Sequence, residues 1–417
     1  MRATTLGLVV LVAASTGRAQ EPIDDAQLIV KAYRVLTSKK HVLPTDAKAV
    51  AEAAVEVLSP GSAAAAGFGS DAVVNAALLE RLAKGRARND VWAPIRAMTA
   101  ATGDPHTFLF DPTLGPTLTA LIDGNPAAGS GAAFARLADG RLVVTEVQPR
   151  GPAAKAGVVR GDVLAKIDGR TPTSLSDIFA LVGRVQGPPI PLTIQRPGEA
   201  KPVDLKYKAF VWTQPNVSEG RLLADKIGYL RFRFFSTPAP GLIRKQLEAL
   251  SRAGARALVL DIRGNWGGIP DAVPSIFTDG DPIVILRDGT GKEEPLPRTG
   301  AAWAKPLPLV LLVDGGTYSA AEFLAWALQD RKRAVVMGTP TGGGLTGVDD
   351  VELADGYVLH VANTLVLGPV SHKASDEHRV APDKPLAERA PEELAAGVDR
   401  QLDAAIAEAK RILGSGR

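Results

Sequence analysis

The chain has 417 residues, of which 46% are hydrophobic and 22% charged, an ordinary soluble composition with enough length for two or three domains. The net charge is only +3 and the sequence contains no dense run of Lys and Arg, which argues against nucleic-acid binding. Cysteine is absent, and this excludes disulfides, a thiol nucleophile and a Cys-based metal site.

The first twenty residues have the features of an export signal. Arg2 supplies a positive charge, residues 6–15 are apolar, and Gly17 and Ala19 place small residues at the cleavage-site positions. We therefore predict a signal peptide over 1–19 and an exported protein, periplasmic or secreted. The apolar stretch is shorter than the roughly 20 residues that span a bilayer, so a membrane anchor is the less favoured alternative and we expect no stable membrane span.

Residues 20–125 show helical periodicity. Apolar residues recur at helical spacing from Leu28 to Leu36, and two further helical patterns end at Leu58 and Leu82. The turn-rich run 123–126 marks a boundary. We expect an N-terminal helical domain over 20–125.

The pattern changes after this boundary. Between 126 and 212, short β-rich runs at 142–145, 163–167 and 192–194 alternate with Gly and Pro turns and two short helical segments. This pattern predicts a small β-domain.

Residues 213–392 alternate strand and helix. The apolar runs 257–262 and 309–313 suit buried parallel strands, which predicts α/β architecture. The tail from 391 to 412 has the periodicity of one amphipathic helix, and we assign 393–417 to a C-terminal helix.

A candidate nucleophile stands where the second buried strand runs through a Gly turn directly into a helix. Ser319 falls at this junction, where unpaired N–H groups and the helix dipole favour a developing anion. Its hydroxyl could point outward while the N–H of Ala320 faces an oxyanion. The competing interpretation is that Thr317 or Ser319 only caps the helix.

The run Asp-Ile-Arg-Gly-Asn-Trp-Gly-Gly at 261–268 forms a second Gly-rich turn after a buried strand. Acyl transfer needs two donors at the oxyanion, and Gly267 or Gly268 could supply the second beside Ala320. The alternative is a plain strand-to-helix turn. Neither dinucleotide-binding nor P-loop spacing is present.

Four motifs in one order give these turns a family context. They are DIRGNWGG at 261–268, GGTYSAAE at 315–322, GTPTGG at 338–343 and VAPD at 380–383. Together they resemble the carboxyl-terminal processing (tail-specific) peptidases of family S41 and their tricorn-like relatives over roughly residues 90–390. The resemblance implies an α/β multidomain protein with a crotonase-like (ClpP/crotonase-type) protease core over 213–392 and no cofactor. It also implies Ser319 as the nucleophile, with oxyanion donors at Ala320 and at Gly267 or Gly268.

The β-domain resembles a PDZ domain inserted between the helical domain and the core. The run GPAAKAG at 151–157 and the run RGDVLAKIDG at 160–169 are similar to the PDZ signature. The resemblance also places a carboxylate-binding loop on Gly129, Ser130, Gly131, Ala132 and Phe134. Such a domain adds a peptide as an extra strand and binds its carboxylate with backbone N–H groups. The alternative is a β-domain that only packs against the core.

The residue that would act as general base differs from the one in many members of the family that this sequence resembles. Many members use a Lys in a TxGKG context, but the corresponding run 341–345 has Gly344 at the Lys position. Lys332 lies past the helix that Ser319 begins, and a Ser hydroxyl needs a neighbouring base. The tricorn-like branch instead uses a His before the PDZ position, and His106 in the run Gly-Asp-Pro-His-Thr matches it. The alternative is a solvated loop histidine.

The same resemblance places a carboxylate that orients the His shortly before the VAPD run. Asp376 and Glu377 both qualify, and a solvated acidic turn is the alternative for each. His372 and His378 flank them, but the spacing matches no common zinc motif, so no metal site is expected.

The sequence thus predicts an exported serine endopeptidase that cleaves unstructured protein or peptide chains, captured by the PDZ domain through C-terminal or extended segments. Two alternatives stay open. One is a catalytically inactive family member that acts as a peptide- or lipid-binding scaffold, and the other is a different hydrolase, such as an esterase, on the same core.

Overall fold

A computed structural model describes residues 25–38, 42, 45–182, 185–214, 220–270, 272–303 and 306–414. The predicted signal peptide at 1–19 lies outside these residues. In the part of the chain that is described, no helix combines the length and the hydropathy needed to cross a bilayer.

The described residues form α-helices with these bounds: α1 Asp25–Leu36, α2 Ala47–Leu58, α3 Ala72–Ala83, α4 Trp92–Ala101, α5 Leu114–Ile122, α6 Pro152–Lys155, α7 Ala239–Arg252, α8 Pro274–Phe277, α9 Ala320–Asp330, α10 Pro391–Ala395 and α11 Arg400–Gly414. Short 3₁₀ turns cover Ala63–Ala65, Arg88–Asp90, Leu175–Leu181, Ala224–Lys226 and Asp376–His378.

The strands are β1 Phe108–Phe110, β2 Ala132–Arg136, β3 Leu142–Val147, β4 Val163–Ile167, β5 Ile190–Gln195, β6 Val203–Tyr207, β7 Arg221–Leu222, β8 Ile227–Arg231, β9 Ala257–Asp261, β10 Val284–Asp288, β11 Glu293–Leu296, β12 Leu309–Val313, β13 Val335–Gly338, β14 Thr346–Glu352, β15 Val358–Leu367 and β16 Lys384–Pro385.

The N-terminal helices form as their periodicity predicts. Asp46 and Asp71 cap α2 and α3, because each carboxylate accepts the N–H groups of the second and third helical residues. The apolar faces of α1 to α4 share one core. Leu359 and Val361 of β15 belong to the same core, so the helices pack on a sheet rather than standing alone.

That five-stranded sheet has the order β1-β15-β10-β11, with β14 also paired to β15. All of its pairings are antiparallel, and Phe108 of β1 lies opposite His360 of β15. The sequence did not predict this sheet. Because β1 pairs with β15, the loop at 102–107 that leads into β1 is held against the sheet.

The second large sheet has the order β16-β13-β12-β9-β8-β7 and is parallel from β16 to β8. β9 and β12 are buried along their whole length, as their apolar runs predict. They are neighbours, with Asp261 opposite Leu312. Because the carboxyl ends of parallel strands share one edge, the two Gly-rich turns that follow them meet there.

Strands β2 to β6 form a separate antiparallel sheet in sequential order, with its own hydrophobic core. The predicted α/β multidomain architecture is therefore confirmed. The exact domain boundaries stay a prediction.

One predicted element was wrong. The tail is two helices rather than one, because α10 ends before Gly397, whose φ of 75° lies in the left-handed region that glycine adopts easily. The second helix, α11, packs Ala405 and Ala409 against β9 and β12.

Candidate active site

Ser319 occupies the turn between β12 and α9. Its backbone has φ 54° and ψ −122°, a region that non-glycine residues rarely occupy and that costs about 1–3 kcal/mol. Such strain is the feature of a nucleophile turn that pushes a hydroxyl outward at the start of a helix. Ser319 is half-buried, while Ala320 behind it is buried.

The turn after β9 lies directly against this serine. A Cβ atom at Gly267 would lie 2.8 Å from the Cβ of Ser319 and 3.0 Å from the backbone nitrogen of Ala320. Only a glycine therefore fits beside the nucleophile. This is the close approach that a second oxyanion donor requires.

The two predicted donors in that turn differ in their hydrogen bonds. The N–H of Gly267 donates to Asn265 Oδ1 at 3.0 Å. Among the residues that the structure describes, the N–H groups of Gly268 and Ala320 have no protein acceptor. The N–H groups of Gly268 and Ala320, rather than that of Gly267, are therefore available to bind an oxyanion.

Asp314 joins the two turns, and sequence reasoning missed it. Its buried Oδ1 accepts the N–H of Gly264 at 2.8 Å and the N–H of Gly316 at 2.9 Å. Its Oδ2 pairs with Arg389 at 2.6 Å. One carboxylate therefore fixes the spacing between the nucleophile turn and the oxyanion turn.

Glu322 is a second residue whose role the sequence did not predict, although it ends the motif GGTYSAAE. Its fully buried carboxylate accepts the N–H of Ser319 at 2.9 Å, of Gly343 at 2.9 Å and of Gly344 at 2.7 Å, and the hydroxyl of Thr341 at 2.5 Å. Burial raises the pKa of Glu322 to about 7, against the lowering by these four donors. The side chain ties the strained serine to the run 341–344.

His106 is buried at the point where the N-terminal loop enters the core. Its Nδ1 lies 2.8 Å from Thr346 Oγ1 of β14, and its ring meets those of Tyr318 and His360 edge-on. Burial lowers the pKa of His106 well below 6.5, the proximity of His360 lowers it further, and the bond to Thr346 opposes both. No hydrogen bond joins the imidazole to Ser319 in the described contacts.

The two candidate carboxylates lie on the surface. Asp376 and Glu377 are exposed, and Glu377 pairs with Arg379 at 3.4 Å. Among the described side chains, neither is hydrogen-bonded to His106; Thr346 is the group on Nδ1. The run that contains them still passes near the site, since the carbonyl of His378 accepts the N–H of Leu345 at 3.0 Å.

A metal site finds no support in the geometry. Over the described ranges, no three His, Asp or Glu side chains converge closely enough to hold an ion. This includes the run from His372 to His378.

The predicted carboxylate-binding loop opens onto the same region. A cavity of about 70 Å³ is lined on one side by Gly129, Ser130 and Ala132, and on the other by core residues that include Trp266 and Tyr318. Further lining comes from Phe134, Leu175, Ile178 and Phe179. The groove of the β-domain is therefore continuous with the nucleophile turn.

The edge of β2 also contacts this turn directly. The N–H of Arg136 donates to the carbonyl of Gly315 at 3.4 Å. A Cβ atom at Gly315 or Gly316 would overlap the carbonyl oxygens of Arg136 and Phe134. This contact explains why both positions before Thr317 are glycine.

An α/β core with a strained serine at a helix start, joined to a small antiparallel β-domain whose apolar cavity reaches the nucleophile turn, is the arrangement of a serine-hydrolase class of protein. Comparison with known sequences agrees: residues 226–386 match the model of Peptidase family S41, and residues 143–196 match a PDZ domain. The chain therefore contains a core that matches peptidase family S41 and a segment that matches PDZ domains.

Two curated relatives are carboxyl-terminal processing peptidases of chloroplasts. Carboxyl-terminal-processing peptidase 2 of Arabidopsis thaliana is 32% identical over 73% of this chain and 62% of its own length. The C-terminal processing peptidase of Tetradesmus obliquus is 30% identical over 64% of this chain and 62% of its own length. The chain thus spans about three fifths of the length of these relatives.

A solved structure titled photosystem II D1 C-terminal processing protease has the same fold. It superposes with a TM-score of 0.60 at 24% identity, and covers 89% of this chain and 98% of its own.

Proposed function

We propose that this protein is an exported serine endopeptidase that cleaves unstructured protein or peptide chains. The observation that carries the proposal is the strained backbone of Ser319 at the start of α9, with Gly267 packed against it and with no acceptor for the Ala320 N–H among the described residues.

In the proposed reaction the Ser319 Oγ attacks the scissile carbonyl carbon while His106 takes its proton. The resulting oxyanion accepts hydrogen bonds from the N–H groups of Ala320 and Gly268. Gly267 keeps its N–H on Asn265 and serves as the residue that allows close approach. His106 then gives its proton to the leaving amine, and water releases the acyl group by the reverse sequence of proton transfers.

The imidazole needs one free nitrogen for this role. Because Nδ1 is engaged with Thr346, the proposal assigns the proton transfer to Nε2, which must come within hydrogen-bonding distance of Ser319 Oγ when substrate binds. An orienting role for Asp376 or Glu377 stays a prediction, which would require the 376–378 turn to move.

The PDZ domain is proposed to bind the substrate segment. The N–H of Gly129 donates to the carbonyl of Ala127 at 3.1 Å, so the N–H groups of Ser130 and Gly131 in this loop would hold a terminal carboxylate. The apolar groove beside Phe134 would accept the preceding side chains. The edge of β2 contacts the nucleophile turn at Gly315 and Gly316, so β2 would have to separate from this turn before a bound chain reaches the cleft.

Export is proposed from the signal-like first 19 residues, and the periplasm or the exterior would be the site of action. Protein or peptide substrates without fixed structure suit a cleft of this kind, because an extended segment must lie along both β2 and the catalytic turns.

The test is cleavage of a reduced, carboxymethylated protein by the purified chain, followed by mass spectrometry. Fragments should accumulate with the wild type and not with Ser319→Ala, which keeps the fold and removes the nucleophile. Ser251→Ala, on the surface of α7, is the matched control and should cleave as the wild type does. Equal cleavage by the Ser319 variant, or none by the wild type, would refute the peptidase and favour the scaffold.

A further inference from the structure

Tyr318, the residue before the nucleophile, lies against the glycine run 342–344. A Cβ atom at Gly344 would be 2.6 Å from the Cζ of Tyr318, and one at Gly342 would be 2.7 Å from its Cδ2. Both distances are shorter than real Cβ contacts. The buried phenol ring therefore occupies the room that any side chain at position 344 would need.

The same side chain reaches the loop of the candidate base. The hydroxyl of Tyr318 donates to the carbonyl of Pro105 at 2.5 Å, across 213 positions of sequence. The Tyr318 ring meets the imidazole of His106 edge-on, with the ring centroids 5.2 Å apart. Tyr318 thus joins the nucleophile turn to the imidazole loop.

We infer that Tyr318 is a positioning residue that sets the choice of base: it holds the His106 loop against the nucleophile turn and excludes a side chain from position 344. This inference rests on the proposed function. It explains why positions 342 and 344 are both glycine, since a Cβ atom at either would overlap the Tyr318 ring.

Tyr318 is not itself a base. Burial raises its pKa well above 10, and the nearby charges of Asp104 and Glu322 raise it further, so the phenol stays protonated and acts as a donor. Among the described residues, the titratable groups near the imidazole of His106 besides Tyr318 are His360, which pairs with Asp350 at 2.5 Å, and Asp104, whose Oδ1 accepts the backbone N–H of His106. Removal of the Tyr318 ring would expose the imidazole without changing these charges.

The first test measures the rate at which diisopropyl fluorophosphate labels Ser319, as a function of pH. In this reaction the Oγ–P bond forms, the P–F bond breaks, fluoride leaves and the base takes the hydroxyl proton. Tyr318→Ala should label about 10²-fold more slowly, because the loop loses its anchor. The midpoint of its pH profile should rise toward 6.5, because the imidazole is less desolvated.

Tyr318→Phe is the conservative comparison. It keeps the ring over Gly344 and His106 and loses only the bond to Pro105, so its rate should stay within about tenfold of the wild type with an unchanged midpoint. A wild-type rate and midpoint in folded Tyr318→Ala would overturn the inference.

His106→Ala separates the two levels of the argument. If it labels as fast as the wild type, the proposed base itself is wrong. If it does not label while Tyr318→Ala matches the wild type, only the role of Tyr318 fails.

The second test is a mutant cycle on thermal stability. Gly344→Ala should lower the Tm by several degrees, because its Cβ overlaps the ring, and should lower it far less in the Tyr318→Ala background. Gly69→Ala, where a Cβ meets nothing within 4 Å, is the control. Equal losses in both backgrounds would overturn the inference. Should Tyr318→Ala not fold, labelling of Gly344→Ala decides the question: a displaced ring slows it, and a wild-type rate refutes the inference.

Discussion

At Ser319 the backbone adopts a conformation that only glycine adopts without strain. One side chain and one backbone carbonyl hold it there: the carboxylate of Glu322 accepts the Ser319 N–H, and the backbone carbonyl of Asn265 accepts the N–H of Tyr318 at 2.8 Å. The strain is maintained by contacts from distant parts of the chain, as is common where a nucleophile must project outward.

The pH dependence of activity follows from the burial of His106. A general base works in its neutral form, and burial places the pKa of His106 well below 6.5. Cleavage should therefore stay near its maximum from pH 8 down to 6.5 and fall only at more acidic pH. The measurement is the initial cleavage rate of a carboxymethylated protein across pH 4–9. An acid limb centred above pH 7.5 would indicate a different base, such as an amine.

At this scale the sequence predicted the position of Ser319, because strand, Gly turn and helix are local features. It could not assign roles to Asp314, Glu322 or Tyr318. The spacing of Ser319 and Glu322 is that of a capping box, which is a local signal. The other partners, Gly264, Thr341 and Pro105, lie 50, 19 and 213 positions away, and a hydrogen bond over such a separation leaves no periodic signal.

Among the elements, the adjacent parallel strands β9 and β12 bring the two catalytic turns together. Asp314 sets the distance between them through the N–H groups of Gly264 and Gly316. The distance between the two catalytic turns is therefore set both by the pairing of β9 with β12 and by the Asp314 carboxylate.

Asp314→Ala should lower kcat/KM by about 10²-fold, because the donor turns lose their common acceptor. Asp314→Asn keeps an amide oxygen for the two N–H groups and should lose about tenfold, since only the charge opposite Arg389 is removed. Asp288→Ala is the control, because that carboxylate also accepts two backbone N–H groups, but in the β10–β11 turn. Equal effects of the two Asp314 variants would contradict this account.

The elements that position His106 were the least predictable. β1 is only three residues long and pairs with β15, and Thr346 begins β14. Neither β14 nor β15 was identified from the sequence, although they pair locally as a hairpin around the Asp355-Gly356 turn. The pairing of β1 with β15 spans about 250 positions and depends on tertiary packing rather than on local preference.

Across the whole molecule, a buried charge cluster connects the C-terminal segment to the catalytic edge. Arg263, in the oxyanion turn, is fully buried between Asp261 at 2.7 Å and Asp399 at 2.8 Å. Asp261 also pairs with Arg231, which reaches Glu146 of the PDZ sheet at 2.9 Å. The C-terminal segment, the parallel sheet of the core and the PDZ sheet are thus connected by one network of ion pairs.

Asp399→Ala should destabilise the protein by about 3 kcal/mol in urea unfolding at pH 7, because Arg263 keeps a buried charge with one partner fewer. Burial raises the pKa of Asp399, but its bonds and charge pairing with Arg263 prevail, so its folded pKa lies below the ordinary value of 3.8. The stabilisation is therefore present above about pH 4 and is lost as pH falls through the folded pKa.

Asp403→Ala, at an exposed position in the first turn of α11, is the control and should change the free energy of unfolding little. A destabilisation by Asp399→Ala that persists undiminished at pH 2.5 would contradict the charge argument.

The overall architecture was more predictable than its connections. Strong helical periodicity and the PDZ motifs predicted the two N-terminal parts correctly. The tail helix was wrong at Gly397, since the amphipathic pattern continues on both sides of the break. The antiparallel sheet that contains β1, β10, β11, β14 and β15 was missed because its strands come from three separate stretches of the chain.

The central claim is that the hydroxyl of Ser319 is activated by an imidazole. The most direct measurement compares the second-order rate constants for labelling of Ser319 by diisopropyl fluorophosphate in the wild type and His106→Ala at pH 7.5, with the labelled residue identified by peptide mapping. The account predicts labelling at Ser319 alone, slower by about 10²–10⁴-fold in the variant. Equal rates in the two proteins, or a label on another residue, would contradict it.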